Sequence, residues 1–471
     1  MTDKRTDIAY IISHGFAARM LLQTDLLGRL IRKGYKIAVI TPAKNDQNLI
    51  NYAKEHGIEM IEYNPSSSLW QGEYMRIRKY LFEDIKKNAA LWEKHLRDLK
   101  MAGSFSRRFK IQLYYILYLI LNNLPFLRKW LAGYEKKSLK DPAADELLAK
   151  LDPKLLIATY PMNLPESRLL YAGNKSDRVR TVIHLLSWDN ITCKGYFPQL
   201  ASRYISWGNI MTQEFMEFYK MPKEHIYNTG VPHFDLHKGT QGSLNYKEII
   251  KAKGLNPEKP YIFFALGAPY FSPTEIDIAE WLAKKIERDE FGDMQLIIRP
   301  HPQNLSDNKA DTILKERLKA MQSSRVVIDW PKMLKSSSLN WSMQMDDMLE
   351  FAYLLEGCRL SINSGSTVSI DSLLHDKPVI QPLFDAKPGL PWWQSVDRVW
   401  DYTHCKKLVD LGGVIATKNF EEFEFEIRRY LDNPAYSLAR MQQARFEEVG
   451  VNDGNATERV VEAIETIINL H

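Results

Sequence analysis

Ile8-Ala9-Tyr10-Ile11-Ile12-Ser13-His14-Gly15-Phe16 is an apolar run that breaks at once into a small polar loop. Such a run reads as a buried strand ending in a turn. A helical pattern follows from about Leu21 to Lys33, then a strand at Lys36–Ile40, a helix near Asn48–His56 and a strand at Ile58–Tyr63. This βαβαβ opening predicts a parallel, doubly wound sheet. A basic helical stretch, residues 72–151, interrupts the alternation. Strands resume at Leu155–Ala158, Val179–Leu186, Tyr204–Ile205 and Ile226–Asn228, with helices over Glu166–Ala172 and Met211–Tyr219. Gly230-Val231-Pro232 and His237 to Ser243 read as a linker. A second α/β run has strands at Tyr261–Leu266, Leu296–Ile298, Val326–Ile328, Leu360–Ile362 and Val379–Gln381, and everything after Glu421 reads as helix. The expected architecture is α/β, with two Rossmann-like domains facing a cleft. The first covers 1–238 with its insertion and the second 239–430, followed by helices over 431–471. Ligands of open parallel sheets bind at the carboxyl ends of the strands.

The chain has 471 residues, 45% apolar and 26% charged, as in folded globular proteins. Its three cysteines form no CxxC pair, which fits a reducing compartment. The opening MTDKRTD has no apolar core or cleavage site of a secretory signal, so a cytoplasmic place is expected. Net charge is +5, yet residues 73–140 hold 16 Lys and Arg against 6 Asp and Glu, leaving the rest acidic. Inside that block Ile111–Leu121 is apolar and flanked by Arg107-Arg108-Phe109-Lys110 and Arg128-Lys129-Trp130. Eleven residues are too few to span a bilayer of about 30 Å. Bases and aromatics on both flanks suit a segment lying at an anionic membrane surface, or a buried helix with basic neighbours. No recognised nucleic-acid motif accompanies the charge.

Two loops of the second domain carry the sharper chemistry. Arg299-Pro300-His301-Pro302 ends a strand with a guanidinium fork suited to phosphate oxygens and a His able to donate to a leaving phosphate. Asn363-Ser364-Gly365-Ser366-Thr367 breaks the next strand but one and starts a helix, with Asp371 one turn in, within reach of a ribose hydroxyl. Free N–H groups and hydroxyls at such a start form an anion site, although Ser364 or Ser366 also reads as a plain N-cap.

Arg299 to Pro302, with Ser366 to Ile380, resembles the CDP-glycerol glycerophosphotransferase and surface-polysaccharide glycosyltransferase group. The resemblance spans some 25 residues. It implies the two-Rossmann GT-B fold, binding of the donor's diphosphate and adjoining groups by Arg299, His301, Ser366, Thr367 and Asp371, and last helices that pack back on the first domain. Asn363 stands where an Asp commonly precedes the loop in the glycerophosphate enzymes, which turns the expectation toward a nucleotide sugar. Leu186 to Gly195, after a strand of the first domain, is similar to a loop of bacterial GT-B-like sequences.

In that loop Trp188, Asn190 and Lys194 are expected to bind the acceptor, Trp188 by stacking on a sugar face. Asp189 there, or His14 after the first strand, is the candidate base. Each also has a bland reading: Asp189 as a helix cap, Trp188 as core, His14 as a bonded loop histidine. His233 and His237 are spaced as metal ligands on a helix, but no third ligand follows, and no metal or cofactor is expected. The chain lacks DxD, GxGxxG after the first strand, GxxxxGK[ST] and GxSxG, which argues against the metal-chelating glycosyltransferase fold, a dehydrogenase, a P-loop and an α/β hydrolase. No Glu occurs between Asp371 and Glu421, so the paired-glutamate element of a large retaining family is missing and inversion is expected. The reading is a glycosyltransferase that moves a sugar from a nucleotide-diphosphate sugar to a glycan or lipid-linked acceptor in surface-polysaccharide synthesis. A non-hydrolysing UDP-sugar 2-epimerase, a polyol-phosphate transferase and a non-catalytic sugar-binding scaffold remain as alternatives.

Overall fold

The computed structural model describes residues 5–65, 69–305, 309–333 and 344–470. Met1–Lys4 and His471, the ends of the outermost segments assigned above, lie outside them. The described chain forms two compact units: residues 5–233 with 455–470, and residues 234–333 with 344–454. The helices after residue 430 therefore divide between the two.

The first unit is built on seven parallel strands: β1 (Ile8–Ile11), β2 (Ile37–Thr41), β3 (Glu59–Glu62), β4 (Leu155–Ala158), β5 (Arg180–His184), β6 (Arg203–Ser206) and β7 (Ile226–Asn228). Their order is β3-β2-β1-β4-β5-β6-β7. Ile8 faces both Ile37 and Leu155, so β1 is flanked by β2 and β4, and the order reverses between β1 and β4. Every residue of β1, β2 and β4 is buried, as required of parallel strands covered on both faces.

The second unit repeats the plan with β8 (Tyr261–Ala265), β9 (Gln295–Arg299), β10 (Val326–Ile328), β11 (Leu360–Ile362), β12 (Val379–Pro382) and β13 (Ile415–Thr417). The order is β10-β9-β8-β11-β12-β13, again all parallel, with its reversal between β8 and β11.

Three details differ from the sequence expectation. The helix expected over Leu21–Lys33 is two helices, Gly15–Gln23 and Leu26–Arg32, because Thr24 turns extended between them. The expected linker from His237 is largely helix, Asp235–Thr240. Strand β13 was not expected; it is only part-buried at Ile415 and Ala416 and follows Gly412-Gly413, so no buried apolar run marks it. The helix Val368–Leu374 that follows the serine-rich loop has only seven residues.

Residues 69–151 form five helices within the β3–β4 crossover: Leu69–Phe82, Ala89–Lys100, Phe105–Asn123, Pro125–Ser138 and Pro142–Leu151. They have a small core of their own around Tyr80, Ile85, Leu91 and Tyr118. A buried pair, Arg78 with Glu135 at 2.5 Å, ties the first of these helices to the fourth.

The last helix, Ala456–Ile468, completes the first core. Val460, Val461, Ile464 and Ile467 are fully buried among Ile8, Tyr10, Leu27 and Leu30. Arg29 and Lys33 secure its outer edge by ion pairs to Glu458 and Glu465. Its apolar spacing is that of one helix face. Ile464→Ala is therefore expected to cost the first unit about 2–5 kcal/mol, read as lost hydrogen-exchange protection in β1 and β4, with β8 and β11 protected as before.

Candidate functional site

Parallel sheets open a crevice where the strand order reverses, because consecutive helices leave there on opposite faces. In both units a buried glutamate spans that crevice.

In the first unit Glu166 lies in the opening turn of the helix Leu164–Asn174, after β4. Its Oε2 accepts the Thr159 and Tyr160 N–H groups at 2.7 Å, and Oε1 accepts the Ser13 hydroxyl from the loop after β1. Asn163 caps the same helix and donates to Ser13 at 2.6 Å. In the second unit Glu275 begins the helix Glu275–Glu287, after β8. Its Oε2 accepts the Gly267 N–H and Oε1 the Ser364 hydroxyl of the loop after β11, both at 2.6 Å. Burial pushes each carboxyl up to about 7, against the pull of these donors. Neither glutamate stood out in the sequence. The Asn163–Glu166 spacing was legible only as a helix start.

In the second unit the expected donor residues divide. Arg299 ends β9 but does not present its fork outward. Its Nη1 donates to Asp329 and its Nη2 to Asp347, each at 2.5 Å, and its guanidinium lies over the Phe351 ring. It is 6% exposed. Lys253 closes the cluster by pairing with Asp329 at 2.6 Å and Glu350 at 2.5 Å. Burial raises Asp329, yet Arg299 and Lys253 hold it below its ordinary value; in Asp347 burial prevails and the carboxyl is raised. The assignment of Arg299 to phosphate is thus corrected: it joins the ends of β9 and β10 to the helix Met345–Gly357.

Ser364 is likewise occupied, by Glu275. Asp371 does not reach outward either: its Oδ1 meets His237 Nε2 at 3.0 Å. His237 Nδ1 meets His375 Nε2 at 2.9 Å, and His375 Nδ1 meets Glu356 at 2.7 Å. His237 is thus engaged by this buried series. Among the described residues no three His, Cys, Asp or Glu side chains converge as a metal-ligand set.

His301, Gly365 and Thr367 keep a geometry that can meet an anion, whereas the expected role of Ser366 is corrected: its N–H and hydroxyl both turn to Asn363 Oδ1. Asn363 is fully buried, and its Oδ1 accepts the Ser366 N–H at 2.9 Å and the Ser369 hydroxyl at 2.9 Å. The loop is thereby wrapped around its own first side chain. Gly365 has φ +81°, and a Cβ there would stand 2.7 Å from Val399 Cγ1, so only glycine fits. His301 Nδ1 accepts the Gln303 N–H at 3.1 Å, which places the ring proton on Nε2. Burial lowers the imidazole to about 4, so it is neutral at pH 7 and acts as a donor rather than a cation. Strands β9 and β11 flank β8, so their following loops are about 10 Å apart. The cavity of about 560 Å³ in this unit lies at the opposite edge, beside Pro260, Arg359 and Pro378 ahead of β8, β11 and β12.

In the first unit Asp189 and Lys194 form a pair at 2.9 Å, and Ser187 donates to the same carboxylate at 2.5 Å. Lys194 is raised by Asp189 despite its burial. Tyr160 feels both charges and packs its ring edge-on to His14, centroids 4.9 Å apart. His14, Tyr160, Asp189 and Lys194 are thus gathered beyond β1, β4 and β5; Tyr160 was missed in the sequence. His14 is half-buried, its imidazole lowered by burial to about 4, and its Nε2 has no hydrogen-bond partner among the described residues. Trp188 and Asn190 are not available to an acceptor: both are buried, so their expected role is corrected. Trp188 extends the apolar run Leu185-Leu186 into the interior.

No family model matches the chain, and no curated protein matches it in sequence. Solved structures match in fold. The chain is similar over 99% of its length to 98% of a protein described as S. aureus MnaA in complex with UDP, with 13% identity and a TM-score of 0.53. It is similar over 98% of its length to all of the UDP-GlcNAc 2-epimerase from Neisseria meningitidis bound to UDP-GlcNAc, at 10% identity and a TM-score of 0.52. A glycosyltransferase from Rickettsia africae aligns over its whole length with 99% of this chain, at 11% identity and a TM-score of 0.51. These likenesses establish the fold: two Rossmann-like α/β domains of the GT-B kind.

Two outcomes follow from the buried charges. Arg299→Ala takes the guanidinium from buried Asp347 and leaves Asp329 to Lys253 alone, and is expected to cost about 3–5 kcal/mol in chemical denaturation. Glu275, raised from 4.5 to about 7, binds its proton more tightly in the folded state. Its contribution is therefore complete below pH 4.5 and lost as pH rises to about 7. Across that window the wild type should lose roughly 3 kcal/mol more unfolding free energy than Glu275→Gln, in denaturation curves taken at a series of pH values.

Proposed function

We propose that the protein is a glycosyltransferase that uses a nucleotide-diphosphate sugar. The observation that carries this reading is the donor set beyond β9 and β11. The Asn363–Thr367 loop turns Asn363, Ser364 and Ser366 inward, and the Gly365 and Thr367 N–H groups have no acceptor among the described residues. The neutral His301 Nε2–H, on the loop after β9, adds a third donor. Preorganised donors of this kind stabilise the charge that a nucleoside diphosphate gains as it leaves.

In the transfer step an acceptor hydroxyl oxygen bonds to the anomeric carbon. The bond from that carbon to the β-phosphate oxygen breaks, and the hydroxyl proton goes to a base. The candidate bases are Asp189 and His14 of the first unit. Asp189 is paired with Lys194, and His14 is neutral with a buried Nε2 that has no partner among the described residues. The acceptor is a glycan or lipid-linked hydroxyl, and the product belongs to surface-polysaccharide synthesis.

A second reading, a 2-epimerase, is favoured by the fold neighbours that carry that name. It needs no acceptor. Product analysis with a panel of nucleotide sugars separates the two: a new glycosidic bond supports transfer, and an isomerised nucleotide sugar without acceptor supports epimerisation. Binding without turnover would overturn both.

His301→Ala is expected to weaken nucleotide-diphosphate binding by about 1.5–3 kcal/mol in calorimetry. The affinity should show no His301 titration between pH 6 and 8, because the imidazole is neutral well below that range. Asp189→Asn should lower turnover roughly 10²–10⁴-fold with donor affinity nearly intact. A comparable loss in His14→Ala alone would assign the base there instead.

A further inference from the structure

We propose that the helices Phe105–Asn123 and Pro125–Ser138 form a face that lies on an anionic lipid bilayer. The described residues hold 21 exposed large apolar side chains, and 11 of them fall between Met101 and Tyr134. On the first helix Phe105, Phe109, Leu113, Ile116 and Ile120 follow at spacings of 4, 4, 3 and 4, which puts them on one face. Ile111, Tyr118 and Leu121, on the other face, are buried. The insertion has therefore built its own core and left this stripe outside it. On the second helix Phe126, Trp130 and Tyr134 repeat the spacing, each at least 64% exposed.

An apolar face of this size on a folded protein marks an interaction site. Its rim identifies the occupant. Arg107, Arg108, Lys129, Lys136 and Lys137 are exposed, and among the described residues no carboxylate pairs with them. Neither helix has an exposed carboxylate, since Glu135 is buried against Arg78. Protein partners of a basic rim would call for acidic side chains and shaped apolar pockets. A bilayer offers anionic headgroups over a uniform apolar layer, and rings at the level of the headgroups are favoured there. No described helix is long and apolar enough to cross a membrane, so the stripe lies along the surface with its axis in the plane.

The test is sedimentation of the full chain with vesicles of phosphatidylcholine alone or mixed with phosphatidylglycerol. The wild type should bind the mixed vesicles, and only weakly the neutral ones. Phe109→Ser with Trp130→Ser should lower partitioning onto mixed vesicles at least about tenfold. Arg107→Glu, Arg108→Glu and Lys129→Glu together should lower it by a similar or larger factor, since each charge near the surface contributes about fivefold. They should leave binding to neutral vesicles as it was. Circular dichroism and thermal unfolding of both variants should match the wild type, since every substituted side chain is exposed; variants that do not fold are replaced by Phe126→Ser and by Lys136→Glu with Lys137→Glu. Absence of binding to mixed vesicles at low salt overturns the proposal. So does binding that survives both sets of substitutions, or a soluble dimer that hides the face and is dissolved by Phe109→Ser with Trp130→Ser.

Discussion

Everything at the carboxyl edge of each sheet depends on a glutamate buried in the crevice where strand order reverses. The loops after β1 and β4, and after β8 and β11, have no strand between them to brace them. Glu166 reaches back from the β4 side to the β1 loop, whereas Glu275 reaches forward from the β8 side to the β11 loop. The two units thus reach the same solution from opposite sides of the reversal. A carboxylate suits the task because its oxygens accept several N–H and O–H donors at once. Burying it costs affinity for its charge, which is why both carboxyls are pushed up to about 7.

The second unit shows what such bracing leaves for chemistry. Arg299 anchors β9 and Ser364 anchors the β11 loop, so neither strongly polar group is free for a ligand. What remains outward is weaker and more directional: peptide N–H groups and a neutral imidazole. A site made this way holds an anion by aimed hydrogen bonds rather than by net charge, and its grip should be less sensitive to salt than an arginine clamp.

Much of the architecture was legible in the sequence because parallel strands buried on both faces are continuous apolar runs, and Ile8–Ile12, Leu155–Ala158 and Tyr261–Leu266 are such runs. Strand β13 is only part-buried at Ile415 and Ala416, unlike β10 at the other edge, and left no such run. The site was less legible because partners decide roles. Arg299 reads as a free fork until Asp329 and Asp347 arrive from 30 and 48 residues away. An Asp directly after strand β10 was the available sign, since a neighbouring strand ended in Arg. Trp188 reads as a sugar platform in isolation, while the apolar neighbours Leu185, Leu186 and Ile191 point to the interior where it lies.

The series Asp371, His237, His375, Glu356 has a consequence in protons. Its three contacts, oxygen to nitrogen, nitrogen to nitrogen and nitrogen to oxygen, each hold only if one hydrogen lies between the two atoms. Two neutral imidazoles bring two hydrogens. The intact series therefore carries a third, on a ring or on a carboxyl, and its net charge is −1 rather than −2. That extra proton is a structural component shared among the helices Asp235–Thr240, Met345–Gly357 and Val368–Leu374. Removing it sets two lone pairs against each other in a buried site, so the link among these helices loosens when one hydrogen is lost.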